Sequence, residues 1–94
     1  MIENTFQSVW DALEDTPAEA ANMRARAELM VAIQSAVNGL DMTQGELAQQ
    51  LGLTQPRVND LLRGKIDKFS LDALVNIAFA AGLTVAWNVT RSAA

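Results

Sequence analysis

Residues 43–65 read TQGELAQQLGLTQPRVNDLLRGK, and this segment contains two helix starts in quick succession. Thr43 and Glu46 form a capping-box pattern, in which each side chain satisfies a backbone amide at the start of a helix. A second capping residue, Thr54, follows Gly52, and glycine is the residue best suited to the left-handed conformation at a helix end. The pattern predicts two short helices joined by a tight turn.

Helix signals also precede this helix-turn-helix, which we place at 43–63. An apolar stripe at spacings of three and four predicts a short helix near 4–14, within an N-terminal arm of residues 1–15. Strong helix formers follow Thr16-Pro17 and predict a long helix over 18–37. Its buried stripe is predicted at Leu29, Ile33, Ala36 and Leu40.

Two further elements follow the helix-turn-helix. Ser70 predicts the start of a helix that reaches Gly82 and is apolar on nearly every side, which indicates that it packs on more than its own domain. Alternating apolar and polar residues then predict a strand over 83–90. Because a strand cannot satisfy its own backbone, its partner is either an N-terminal segment or the same strand of a second copy. The dimer contacts expected from this pattern are Leu83, Val85, Trp87, Val89 and, from the preceding helix, Phe79.

The composition is that of one folded domain, 1–94, with its helical core at 16–82. Of the 94 residues, 50% are hydrophobic and 19% are charged, which suffices for a core without disulfides. Cysteine and histidine are absent, which excludes thiol and imidazole catalysis and every Cys or His metal site. Since no pair of carboxylates stands out as acid and base, we expect neither an enzyme nor a cofactor. The lack of a basic leader or an apolar run of ~20 residues predicts a cytoplasmic protein that does not enter the membrane.

The net charge of −4 argues at first against nucleic acid, because a duplex is polyanionic. The charge is unevenly distributed, however. Residues 1–42 contain Arg24 and Arg26 as the two cations against seven acids, whereas four of the five cations in residues 43–94 lie between 57 and 68. We therefore expect an anion-binding surface at the second helix of the helix-turn-helix and the loop that follows it.

The quoted segment resembles the helix-turn-helix of the XRE family, which includes the lambdoid phage repressors. From the long helix through residues 64–74 to the closing strand, the chain further resembles HigA-like antitoxins. The resemblance implies an all-α bundle of about five helices with a C-terminal β-strand used for dimerisation. It also implies a transcriptional repressor that binds a palindromic operator in double-stranded DNA as a homodimer. An antitoxin would in addition bind a small basic RNase-type toxin, for which the acidic residues 1–42 offer a suitable face.

In the family, the second helix of the motif, which here begins at Thr54-Gln55, enters the major groove. Its first exposed residues read base edges. Carried onto this chain, the resemblance implies base reading by Gln55, Arg57, Asn59 and Asp60. The positions implied for phosphate contacts or for supporting the reading helix are Thr43, Gln44, Thr54, Arg63, Lys65 and Lys68. Asp60 would repel phosphate unless it accepts a hydrogen bond from cytosine N4 or pairs with Arg57 or Arg63.

A protein-interaction module that does not bind DNA is the alternative, because helix-turn-helix geometry alone does not imply DNA binding and the chain is acidic. The cations between 57 and 68 would then form an ordinary solvated face. Replacement of Gln55 and Arg57 by alanine separates the two hypotheses. It abolishes sequence preference in a regulator and changes nothing in an interaction module.

Overall fold

The computed structural model describes residues 16–92. This part of the chain contains four α-helices and a single 3₁₀ turn: α1 (Pro17–Asn38), α2 (Gln44–Leu51), α3 (Gln55–Leu62), the 3₁₀ turn Ile66–Lys68 and α4 (Leu71–Ala80). The predicted all-helical architecture is confirmed, with four α-helices in the described range rather than about five in all. The short helix expected near 4–14 lies outside the described residues. None of the helices in the described range is long and apolar enough to cross a membrane.

Each α-helix begins where a hydroxyl side chain can cap it. In α1 the Thr16 side chain accepts a hydrogen bond from Glu19 N at 3.0 Å, and in α4 the Ser70 side chain accepts one from Ala73 N at 3.1 Å. These bonds satisfy amides that have no partner inside the helix. The four N-caps are Thr16, Thr43, Thr54 and Ser70.

The hydrophobic core receives side chains from all four helices and from Phe69, which precedes the N-cap of α4. Its most deeply buried large members are Phe69, Ile33, Leu61, Leu74 and Val58. The long helix α1 packs most extensively against α4, while α2 and α3 pack against each other. This arrangement holds the helix-turn-helix on a scaffold made by α1 and α4, with the outer surface of α3 exposed.

The buried stripe of α1 differs in part from the predicted one. Ile33 is fully buried as expected, but Leu29 and Ala36 are only half-buried. Leu40 is exposed because α1 ends at Asn38, so that residue 40 no longer shares the helix period. The observed stripe instead follows Ala20, Met23, Ala27, Met30, Ile33 and Val37.

The C-terminal segment forms no strand within the described residues, contrary to the prediction for 83–90. The physical reason is that a strand needs a neighbouring backbone to pair with, and residues 16–92 of one chain provide none. The first residues of this segment still alternate between half-buried and exposed, as the strand pattern predicts. Leu83 and Val85 are half-buried against the core, whereas Thr84 and Ala86 are exposed.

Candidate nucleic-acid interface

The start of α2 is a complete capping box. Thr43 Oγ1 accepts a hydrogen bond from Glu46 N at 3.1 Å, and Glu46 Oε1 accepts one from Thr43 N at 2.8 Å. The Thr43 hydroxyl and amide are therefore already used within the chain. The amides of Gln44 and Gly45 remain as the donors that the helix start directs outward. Gln44 itself is exposed, as a residue that contacts DNA must be.

The turn between the two helices is set by Gly52. Its φ of +69° and ψ of +32° place it in the left-handed region, where a glycine carries no steric penalty. The next residue closes the end of α2, since Leu53 N donates to Ala48 O at 2.9 Å. Thr54 then caps α3 by accepting from Arg57 N at 3.4 Å. One helix thus ends and the next begins within four residues, which fixes the direction in which α3 leaves the turn.

Gln55 and the start of α2 lie side by side. A Cβ built on Gly45 would lie 3.4 Å from Gln55 Nε2, so the end of the Gln55 side chain lies against the first turn of α2. Gln55 is nevertheless exposed. The helix start that follows Gln44 and the side chain that opens α3 are thus close together.

Three exposed polar residues follow one another along the outer face of α3. Gln55, Asn59 and the C-cap residue Arg63 are all exposed, and they are four positions apart, which places them in one row on a helix. Their side chains are of the types that read base edges or contact phosphate. We call this row, Gln55, Asn59 and Arg63, the outer row.

Arg57 lies beside the outer row but is directed toward the protein. Its guanidinium carbon is 4.1 Å from the centre of the Phe69 ring, and its Nη1 donates to Lys68 O at 2.7 Å. The residue is half-buried as a result. Of the four residues predicted to read bases, Arg57 is the one whose donor group is already engaged by a strong contact inside the free protein.

Asp60 is also engaged, but with a cation other than the two arginines considered for it. Its Oδ1 lies 3.7 Å from Lys65 Nζ, and the side chain of Asp60 retains only 18% of its accessible surface. An ion pair with Arg57 or Arg63, one of the alternatives considered for Asp60, is therefore not the one that forms in the free protein. The loop after α3 folds back, with Lys65 N donating to Asp60 O at 3.0 Å, and this places Lys65 closer to the carboxylate than either arginine.

The site is supported by three residues that the sequence analysis did not assign to it. Arg26 of α1 donates through Nη1 to Phe69 O at 3.2 Å and to Ile66 O at 3.4 Å. Gln34 of α1 donates through Nε2 to Leu61 O at 3.0 Å, at the end of α3. The third is Phe69, which is fully buried.

One sequence signal does identify Phe69 as a buried residue. It directly precedes the Ser70 cap, and Leu74 follows at the fourth helical position, which is the spacing of a hydrophobic staple. Both residues are buried in the core. No comparable local signal marks Arg26 or Gln34, because their acceptors lie 27 to 43 positions away in the sequence.

The fold and the outer row define a helix-turn-helix domain whose second helix is presented to solvent. The family model described as a helix-turn-helix domain matches residues 12–90, and the chain belongs to that family. Membership of the family supports a DNA-binding regulator. No curated protein matches the chain.

Proposed function

We propose that the protein is a sequence-specific transcriptional regulator, a repressor that binds a palindromic operator in double-stranded DNA as a homodimer. The observation that carries the proposal is the outer row of α3, presented next to the exposed start of α2. In the XRE family and the lambdoid repressors that the sequence resembles, these two helix starts face the DNA. Binding over a promoter would repress transcription by occluding polymerase.

Base reading is assigned first to Gln55 and Asn59. Gln and Asn side chains pair bidentately with adenine N6 and N7 in the major groove, and each good pair supplies about 1–3 kcal/mol of discrimination. Both residues are exposed, so they reach a base edge without first leaving an internal contact. Asp60 is a weaker candidate reader, since it is mostly covered and already paired with Lys65.

Phosphate contacts are assigned to both ends of the interface. The amides of Gln44 and Gly45 suit a phosphate at the start of α2, while Thr43 and Thr54 contribute as caps that hold these helix starts in place. Arg63, Lys65 and Lys68 lie at the other end, where they neutralise phosphates without reading sequence. The acidic remainder of the chain opposes binding to DNA that does not offer the full set of contacts.

The homodimer is assigned to the C-terminal segment and α4. Phe79, Trp87 and Val89 are 81%, 60% and 89% exposed, so three large apolar side chains between residues 79 and 89 are left uncovered. Leu83 and Val85 start the same alternating face and are half-buried in the core. A second copy related by a twofold axis supplies the backbone partner that residues 83–90 lack and covers the exposed apolar residues. Two α3 helices related by such an axis would fit half-sites ~34 Å apart.

Light scattering at several protein concentrations tests the dimer. Val89→Lys places a charge in the proposed interface and is expected to produce a monomer, whereas Val31→Lys, on an exposed position of α1, should leave the dimer intact. A wild-type protein that remains monomeric at tens of micromolar contradicts the dimer assignment.

The proposal includes a second partner, a toxin. The resemblance to HigA-like antitoxins motivates it, and the charge distribution supports it. In the described part of the acidic half, Glu19, Glu28 and Asp41 are exposed, while Arg26 is directed inward to the loop before α4. Such a surface suits a small basic RNase-type protein. A neighbouring reading frame that encodes such a protein, and its co-purification with this chain, would test the assignment.

Selection of duplexes from a randomised pool tests the regulator hypothesis against the alternative, an interaction module that does not bind DNA. At about 100 mM salt, where non-specific binding is weakened, the wild type should enrich a palindrome. Gln55→Ala/Asn59→Ala should lose this preference, whereas Gln49→Ala/Gln50→Ala, with two exposed glutamines of α2 removed, should keep it. Failure of the folded wild type to enrich any sequence favours the interaction module.

A further inference from the structure

The loop between α3 and α4 is held by two arginines from different helices. Arg57 of α3 donates to Lys68 O at 2.7 Å and stacks on the Phe69 ring. Arg26 of α1 donates to Ile66 O and Phe69 O. Both guanidiniums thus bind backbone carbonyls of one short segment, residues 66–69. This segment contains the 3₁₀ turn, which has no side-chain cap of its own.

Such a turn depends on its surroundings for its position. A single 3₁₀ turn has few and poorly aligned hydrogen bonds, and an uncapped turn has fewer still. Phe69 anchors one end of it in the core, and the two arginines fix the carbonyls on either side of that anchor. The planar guanidinium of Arg57 makes a stack and a hydrogen bond at once, a combination that the point charge of a lysine does not reproduce.

The turn carries two of the cations assigned to phosphate contacts. Lys68 is exposed at its end, and Lys65 directly precedes it with 41% of its side chain accessible. Lys65 is bonded directly to α3, since both its backbone N–H and its ammonium group contact Asp60. The position of Lys68 relative to α3 is therefore the one that depends on what holds the turn against α3. Within the described residues, Arg57 is the side chain of α3 that binds the turn directly.

We propose that Arg57 is a positioning residue for the DNA-binding surface and not a reader of bases. It holds the 66–69 segment against α3, and through this contact it places Lys68 for the phosphate backbone. To read a base, Arg57 would have to give up both the 2.7 Å hydrogen bond and the stack on Phe69. This inference rests on the proposed function, since it assigns a role within the DNA interface.

The test uses Arg57→Lys, because this change keeps the formal charge and removes the guanidinium plane. We expect an affinity loss of about three- to tenfold that is equal for all operator sequences, and a salt slope smaller by about 1 because fewer phosphates are contacted. The base preference should stay as in the wild type. A merely destabilised protein would bind with a smaller active fraction but with an unchanged salt slope. Asn59→Ala is the opposite control, with an altered base preference and an unchanged slope.

A double-mutant cycle shows whether Arg57 acts through Lys68. Lys68→Gln changes an exposed side chain and leaves the core intact, so it should fold and show the smaller slope by itself. In this background, Arg57→Lys should cause little further change in slope. If the two effects add fully, Arg57 acts independently of Lys68 and the proposal is wrong. It is equally wrong if Arg57→Lys alters the preference at one base pair or leaves both affinity and slope unchanged.

Measurement of the free protein separates this inference from the function on which it rests. By NMR, the side-chain protons of Arg57 should show an upfield ring-current shift that is lost in Phe69→Leu. Absence of this shift in a folded wild type overturns the positioning contact whatever the protein binds. If the shift is present and the wild type selects no DNA, the proposed function fails, and the role of Arg57 in DNA binding falls with it.

Discussion

Replacement of Gly52 by alanine tests the turn on which the direction of α3 depends. Residue 52 has φ +69°, and a Cβ built there has no atom within 4 Å. The whole cost of the substitution is therefore backbone strain, with no contribution from steric overlap. An L-residue in the left-handed region costs about 1–2 kcal/mol. Alanine also lowers the conformational entropy of the unfolded chain, which offsets about 0.4–1 kcal/mol of this strain.

The expected net loss is about 1 kcal/mol of unfolding free energy, since the strain outweighs the entropy gain. For a domain of this size, such a loss lowers Tm by roughly 4–8 °C. Urea unfolding followed by circular dichroism at 222 nm measures the free energy directly. Gly52→Asn should lose less, because asparagine tolerates the left-handed region better than alanine does.

Gly39→Ala provides the matched control for this measurement. Gly39 also follows a helix, but its φ is −80°, and the nearest atom to a Cβ there is Ala36 O at an ordinary 3.5 Å. Its replacement should be neutral or stabilising by up to about 1 kcal/mol. Equal losses at both glycines, or no loss at Gly52, would refute the reasoning from backbone conformation.

Three further predictions concern the scaffold under the interface. Thr43→Ala removes the capping box of α2 and should cost about 1 kcal/mol in urea unfolding, whereas Thr90→Ala, at an exposed position outside the helices, should cost almost nothing. Val58→Ala opens a cavity at a fully buried site and should cost about 2 kcal/mol, while Val31→Ala, at a 64% exposed site, should change stability by less than about 0.5 kcal/mol. Gln34→Leu removes the donor from two carbonyls at the end of α3 and should cost about 1 kcal/mol. Its second expected effect is faster amide hydrogen exchange there, and unchanged exchange would argue against the contact.

The helices of the described range could be predicted because the interactions that begin and end them are local. The caps at Thr16, Thr43, Thr54 and Ser70 each bond to an amide three residues ahead. The stop at Gly52 depends on the conformational freedom of one residue. Such interactions depend on spacing along the chain alone, so a pattern of residue types is sufficient to locate them.

The candidate site could be predicted only in part. The exposure of Gln55 and Asn59 follows from the helix period once Val58 and Leu61 are assigned to the core. The contacts of Arg57 do not follow from it. Its side chain is long enough to point outward to a ligand or back over α3, and the position of Phe69, 12 residues later, decides between the two.

The sequence by itself determined the class of fold, the helix boundaries and the concentration of positive charge between 57 and 68. The tertiary structure alone decided which of those charges face solvent: it directed Arg57 onto Lys68 O and Phe69, and it paired Asp60 with Lys65. It also showed that residues 83–90 form no strand in the described part of a single chain. The reason is the same in each case, since a long side chain or an unpaired backbone takes its conformation from partners that only packing, or a second copy, brings near.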